Sequence, residues 1–289
     1  MQPTLNSAQI QQFKNEGYLL LEDAIDAAQI ASIQSQFAEW VEESKSHTAA
    51  YGVTKDGRPR FDLEVDHSPE RPALRRVASP TELSETCLDI VKTSAASQAV
   101  VDAIGPNIRF HHSKFNSKLP KTSTVVKWHQ DFTFGPHSND DTVTVLIFVD
   151  DVTLENGPLL LAPGSNKGEL HSLWHDGVFT GAMSDEASAE FEKQAVPCIG
   201  KAGSACLMSG RVAHASRANQ SDAARTLFIY CLTAADAVPL SPNPLPSEHA
   251  GLLIAGVETG KVRATPYEME LPEVPKGASF FTQQAQINN

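Results

Sequence analysis

Cysteine is scarce in this chain and positive charge is in deficit. The four cysteines, Cys87, Cys198, Cys206 and Cys231, form no CxxC pair and no tight cluster. That excludes a disulfide framework and a thiolate zinc site, and leaves free thiols in a reducing compartment. Lysine and arginine total 23 against 35 aspartates and glutamates, a net charge of −12. Nucleic acid and anionic membranes need a basic footprint, so neither is expected as a partner. No apolar run approaches the length of a membrane span. The opening MQPTLNSAQIQQFKNEG has no basic segment followed by an apolar one, so no secretory signal is expected. These absences together predict a soluble cytoplasmic protein. Internal repeats and low-complexity tracts are missing as well.

What remains is the composition of an ordinary globular enzyme, 41% apolar and 20% charged over 289 residues. A chain of this length buries a core without staples. Asn6 with Gln9, and Asp26 with Gln29, read as capping boxes, and Leu5 with Ile10 as a hydrophobic staple. Ile30, Ile33, Phe37 and Trp40 recur at helical spacing after the second box. Tyr18–Leu21 reads as a short strand, residues 42–72 as a polar surface excursion, and Ser79-Pro80-Thr81-Glu82 as a third helix start. After Gly105-Pro106 the character changes. Runs rich in Val, Ile, Thr and Phe at 107–118, 123–131, 141–149, 158–162, 203–208, 211–216 and 225–233 predict strands. The expected fold is mainly β, a sandwich or barrel with N-terminal helices packed outside it. One domain is expected over 1–289: a helical part to about 105, a β core over about 106–236, and a C-terminal extension over 237–289 whose end, 279–289, frays.

Within Lys127-Trp128-His129-Gln130-Asp131, alternation puts His129 and Asp131 on one face and turns Gln130 away. An imidazole and a carboxylate side by side suit a metal ion, and a third ligand must come from a neighbouring strand. His214 is the best candidate, and spacing alone leaves His111, His112, His171 and His175 as rivals. Two histidines and a carboxylate with open positions make the facial triad of non-haem Fe(II) oxygenases. Arg225 opens an apolar strand eleven residues after His214, where a guanidinium is costly unless it meets an anion or pairs with Asp222 or Asp236.

These pieces stand in a fixed order. HQD is followed by Glu155-Asn156-Gly157-Pro158-Leu159, by Pro163-Gly164-Ser165-Asn166-Lys167-Gly168, and by His214, Ser216, Asn219, Ser221 and Arg225. The pattern, over roughly residues 4–235, resembles the phytanoyl-CoA dioxygenase (PhyH-like) family. That resemblance implies a double-stranded β-helix, or jelly roll, with Fe(II) as cofactor and 2-oxoglutarate and O2 as cosubstrates. It implies His129, Asp131 and His214 as iron ligands and Arg225, assisted by Ser216, on the distal carboxylate of 2-oxoglutarate. Gln130 matches a glutamine that contacts the cosubstrate region in relatives, against the direction that strand alternation gives it. Asn116 and Thr144 are candidate polar contacts to cosubstrate or substrate. The polar face His112, Lys114, Asn116 and Lys118 lines a pocket or faces solvent.

Asn166 departs from the family's common histidine, and the stretch after HQD lacks the Glu-x-Trp continuation of ectoine hydroxylases, which disfavours ectoine. Asp131 is present where related halogenases carry a small residue, which disfavours halogenation. The implied activity is hydroxylation of an unactivated C–H bond of a small molecule, with release of succinate and CO2. Desaturation, epoxidation or cyclisation with the same cofactors is the alternative, and a silent jelly-roll binding protein or a zinc hydrolase the alternative of another class. Residues 169–192 and 51–72 are candidate lids, the second carrying Asp62, Glu64 and Asp66 and so suiting a cationic or zwitterionic substrate better than an anionic one. Substrate identity and oligomeric state are not specified.

Overall fold

A computed structural model describes residues 4–122, 124–274 and Gln284. In chain order the elements are α1 (Ser7–Glu16), β1 (Tyr18–Leu21), α2 (Ala27–Ser44), β2 (Phe61–Leu63), β3 (Leu74–Ala78), α3 (Glu85–Thr93), α4 (Ala95–Ile104), β4 (Ile108–Lys118), β5 (Val126–His129), β6 (Thr142–Phe148), β7 (Leu159–Leu161), β8 (Trp174–His175), β9 (Val178–Phe179), α5 (Asp185–Lys193), β10 (Val196–Cys198), β11 (Ala205–Ser209), β12 (His214–Ser216), β13 (Arg225–Ala234) and β14 (Leu253–Ala255). Both expected capping boxes form, with Asn6 and Asp26 each accepting from the amide three residues on and Gln9 and Gln29 reaching back.

The large antiparallel sheet runs β1-β11-β6-β13-β4-β3-β2, with β14 also on β4; a second sheet runs β10-β7-β12-β5. This is the jelly-roll architecture, mainly β with helices outside. Helices α1–α4 cover the outer face of the large sheet. Ile33, Phe37 and Trp40 from α2 and Ile90 and Val100 from α3 and α4 share a core with Val143, Val145, Phe228 and Tyr230. Burying each large apolar side chain there contributes about 1.5–3 kcal/mol. The opposite face of the same strands gives Leu146, Phe148, Leu227 and Ile229 to an interior core with Leu159 and Leu161 of the second sheet. Because both faces are covered, β6 and β13 are buried at every position.

β4 carries an irregularity. Cys231 pairs with His112 but Leu232 pairs with Phe110, so His111 is an extra residue in the ladder. Such a bulge changes the facing of the strand. Ile108 and Phe110 join the helix-side core before it, whereas after it the odd-numbered Phe115 does. The even positions His112, Lys114, Asn116 and Lys118 then line cavities in the interior, which settles the polar face as a pocket wall.

Several expectations are corrected. The excursion 42–72 contains β2, with Phe61 buried at 6% exposure, and the helical part of the chain gives three strands to the large sheet. Ser79-Pro80 starts only a 3-10 turn; α3 begins after Ser84, which accepts from the Cys87 amide at 3.3 Å. Glu82 instead pairs with Arg60 at 2.6 Å. The expected frayed end lies outside the described residues except for Gln284, whose buried side chain accepts from Lys127 N and donates to Gly181 O.

Candidate metal centre

Strand β5 stops at His129, and Asp131 begins a 3-10 turn rather than extending the strand. Gln130 between them is extended, with φ −114° and ψ 131°, so the expected convergence of His129 and Asp131 survives the end of the strand. His214 opens β12 directly opposite His129 in the ladder, and the two rings lie 4.1 Å apart between centroids. Asp131 Oδ1 is 3.6 Å from Nε2 of each histidine. The three donor atoms lie within 4.8 Å of one another.

Backbone carbonyls set the tautomers. His129 Nδ1 meets Lys127 O at 2.8 Å and His214 Nδ1 meets Val212 O at 3.0 Å. A carbonyl only accepts, so each Nδ1 carries the proton and each Nε2 turns a lone pair toward Asp131. Burial, then the neighbouring His129, hold His214 down to about 4, so the ring is neutral at physiological pH. Burial opposes ionisation of Asp131, but its polar surroundings, with Lys114 the neighbouring cation when both imidazoles are neutral, keep its carboxyl well below the usual range. Thr144 Oγ1 donates to Asp131 Oδ2 at 2.7 Å and leaves Oδ1 facing the imidazoles. Two neutral nitrogens and one carboxylate oxygen on one side of a cavity fit Fe(II) with open coordination positions.

Two cavities flank these residues, and His129, Asp131, Thr144 and Lys114 line both. The one reached by His214 is about 70 Å³ and ends on Arg225, Ser216, Asn116 and Lys118 among apolar Leu146, Leu159 and Ile229. Arg225 is 3% exposed. Its Nε and Nη2 donate to Gly157 O at 3.1 and 2.7 Å, and burial lowers it to about 10, still cationic. Gly157 has φ +78°, and a Cβ there would stand 2.5 Å from Arg217 O, which is why the turn that aims this carbonyl needs glycine. Asn116 Oδ1 is buried without a hydrogen-bond partner among the described residues. Lys118 Nζ donates to Thr124 O and Arg217 O.

The other cavity is about 60 Å³ and is lined by Arg58, Arg76, His111, His112 and His137 besides the shared residues. Burial lowers Arg76 to about 10 and Lys114 to about 8, and both stay cationic at neutral pH.

Gln130 is turned away from both cavities, as alternation demands. It is fully buried, donates to Glu169 O and Arg211 O at 3.1 and 2.8 Å, and accepts from His171 N at 3.0 Å. It therefore ties two loops together in the place of the expected cosubstrate contact. Thr144 orients Asp131, a role that sequence did not suggest. His171 and His175 are absent from both cavities. Asn166 sits against Gly17 and donates to Lys14 O, docking α1. Arg76 was missed; the signal was Arg75-Arg76 in the short strand Leu74–Ala78, where two adjacent arginines cannot both be solvated. The carboxylates expected to draw a cation have arginine partners: Asp62 and Glu64 share Arg75 at 2.7 and 3.3 Å, and Asp66 pairs with Arg71 at 2.6 Å.

Comparison with known proteins agrees with this geometry. The family model described as phytanoyl-CoA dioxygenase (PhyH) matches residues 13–227. A probable alpha-ketoglutarate-dependent hypophosphite dioxygenase of Stutzerimonas stutzeri is 31% identical over 285 residues, covering 94% of this chain and 93% of its own. A phytanoyl-CoA dioxygenase domain-containing protein 1 of Danio rerio is 26% identical, over 83% of this chain and 94% of its own. In fold, the crystal structure of EctD from S. alaskensis with 2-oxoglutarate and 5-hydroxyectoine superposes with TM-score 0.63 at 19% identity, covering 93% of this chain and 89% of that one. The ladder that sets His214 against His129, the carboxylate between them and the family match over about three-quarters of the sequence lead to one conclusion: the chain belongs to the phytanoyl-CoA dioxygenase (PhyH) family.

Proposed function

We propose that His129, Asp131 and His214 hold Fe(II), and that 2-oxoglutarate occupies the cavity ending on Arg225 with its distal carboxylate on that guanidinium and on Ser216. The protein is then a non-haem iron, 2-oxoglutarate-dependent dioxygenase that hydroxylates a small molecule. The observation that carries this reading is the pairing of an oriented N,N,O donor set with an adjoining cavity that ends on a buried arginine. When bound, iron with O2 and 2-oxoglutarate supplies the oxidising power: one oxygen atom enters the substrate and the other enters succinate as CO2 leaves.

The chain's own residues do the positioning. Carbonyls of Lys127 and Val212 fix the two imidazoles. Thr144 holds the carboxylate. Leu146, Leu159 and Ile229 exclude water from the cosubstrate. Phe134 stands edge-on to His129 at 5.5 Å and is covered by Phe179 at 5.7 Å, which supports a lid role for the segment 169–192. Asn116, with its uncommitted amide oxygen, is assigned to the same cavity as a polar contact.

The relatives' names span hypophosphite, L-proline and ectoine, so the substrate is a matter for this chain's own pocket. A cytoplasmic setting, without nucleic-acid or membrane partners, is supported by the acidic net charge and by the four cysteines, all buried and free. Among the described residues no helix is long and apolar enough to cross a membrane.

The test is anaerobic titration of the Fe(II)-loaded protein with 2-oxoglutarate. A weak charge-transfer band near ~500–530 nm is expected for a chelated 2-oxo acid on a facial-triad iron. Iron bound with no such band would overturn the reading.

A further inference from the structure

We propose that His111, His112 and Cys231 form a second metal site, separate from the iron centre, that takes a thiophilic divalent ion of the zinc class. Among the described residues these three make a donor set in which one ligating atom of each lies within 4.8 Å of the others, the same span as His129, Asp131 and His214. The two sets have no residue in common, so this site stands whether or not the iron reading does. All three residues line the cavity of about 60 Å³ beside Asp131. His111 and Cys231 are 9% and 8% exposed, so an ion they hold has little contact with bulk water.

The fold builds the set at the bulge in β4. Cys231 on β13 pairs with His112, and the next residue, Leu232, pairs with Phe110. In a regular strand His111 and His112 would point to opposite faces. The extra residue lets the two imidazoles meet, with their Nδ1 atoms 2.8 Å apart. Without an ion, one Nδ1–H donates to the other Nδ1. Two nitrogens each about 2.0–2.1 Å from one zinc stand about 2.9–3.4 Å apart, so the observed gap is close to that of two ligands on one ion. On metal binding the bridging proton moves to Nε2 of its own ring, which leaves both Nδ1 lone pairs for the ion. The Cys231 thiol, whose contact with Leu232 O is a weak one at 3.9 Å, gives its proton to solvent and binds as thiolate. Nothing is oxidised or reduced.

Sulfur decides the class of ion. Two imidazoles and a carboxylate suit Fe(II), whereas two imidazoles and a thiolate suit zinc and its spectroscopic substitute Co(II). Arg58, Arg76 and Lys114 also line this cavity and oppose a dication. A thiolate sets a full negative charge against them, which imidazoles alone lack. Three protein donors leave a fourth position open to the cavity.

Anaerobic titration of the metal-free protein with Co(II), followed by absorbance, tests the site. The wild type is expected to bind two ions per chain, one of them with a sulfur-to-metal charge-transfer band in the near ultraviolet. His129, Asp131 and His214 contain no sulfur and cannot produce that band. Cys231→Ser is expected to lose the band and one ion. His112→Gln keeps the sulfur, and is expected to weaken the ion that carries the band by about tenfold or more, at least the cost of losing an outer partner of a metal ligand. It keeps the question open to measurement should Cys231→Ser fail to fold. Asp131→Ala is expected to lose Fe(II) and keep the band. Saturation of the wild type at one Co(II) without a sulfur band would overturn the second site. So would a band undiminished in folded Cys231→Ser, or an affinity unchanged in His112→Gln. Fe(II) retained by Asp131→Ala would overturn the iron reading alone.

Discussion

The two cavities that meet at Asp131 share strands and four lining residues, yet different polar groups complete them. The one ending on Arg225 adds Glu64, Arg75, Lys118 and Ser216 to apolar Leu146, Leu159, Leu227 and Ile229, and its Arg225 is anchored to a single carbonyl presented by the Gly157 turn. The other adds three imidazoles, His111, His112 and His137, with Arg58 and Arg76, to Phe132, Phe134 and Leu245. Rows of one sheet make the difference: Leu146 pairs with Ile229 in one row, and Thr144 with Cys231 in another.

The comparison breaks most completely where the cavities join. Asp131→Ala or His129→Ala is expected to abolish iron binding and turnover together, read as bound iron per chain and succinate released. Arg225→Ala damages one side alone: the 2-oxoglutarate needed for half-maximal rate is expected to rise about a hundredfold, a cost in line with losing a buried charge partner, with iron content unchanged. Iron loss at unchanged 2-oxoglutarate affinity would contradict the assignment. Thr144→Val is expected to weaken Fe(II) binding about ten- to a hundredfold, the usual effect of releasing a ligand's hydrogen-bond partner, measured by competition with a chelator.

The smallest effect is on stability, and it sharpens the difference in polarity. Burial, assisted by His137, lowers His111 to about 3 from the usual 6.5. The folded protein therefore binds this proton less readily than the unfolded chain. The contribution is present in full above pH 6.5 and is lost as pH falls toward 3, about 2 kcal/mol of it by pH 5. Urea unfolding of the metal-free protein at pH 7 and pH 5 is expected to show a smaller acid loss in His111→Asn than in the wild type. An identical loss in both would mean that His111 is not the group responsible.

Legibility in the sequence followed the range of the interaction. Capping boxes are local, so Asn6, Gln9, Asp26 and Gln29 announced α1 and α2 correctly. Strong β patterns announced β4, β6 and β13. His129, Asp131, His214 and Arg225 were legible through alternation joined to a family pattern, and the structure brings them to one pair of cavities. β3 was hidden because two adjacent arginines interrupt its apolar pattern, although Arg76 is 4% exposed. The bulge at His111 was hidden because an extra residue shows only in the register of its partner strand. Thr144 was legible as a candidate polar contact, but its partner Asp131 lies thirteen positions back, and nothing in spacing joins them.

One small feature recurs: His129, His214 and His137 each set Nδ1 against the carbonyl two residues earlier in their own segment, at 2.8, 3.0 and 2.8 Å. One hydrogen bond that orients each ring is thereby inherited along with three consecutive residues of backbone. Such a centre is modular in an evolutionary sense. Loops, cavity walls and surface charge can diverge around it without re-aiming its nitrogens, so a lineage is free to try new substrates while the machinery that attacks them stays in register.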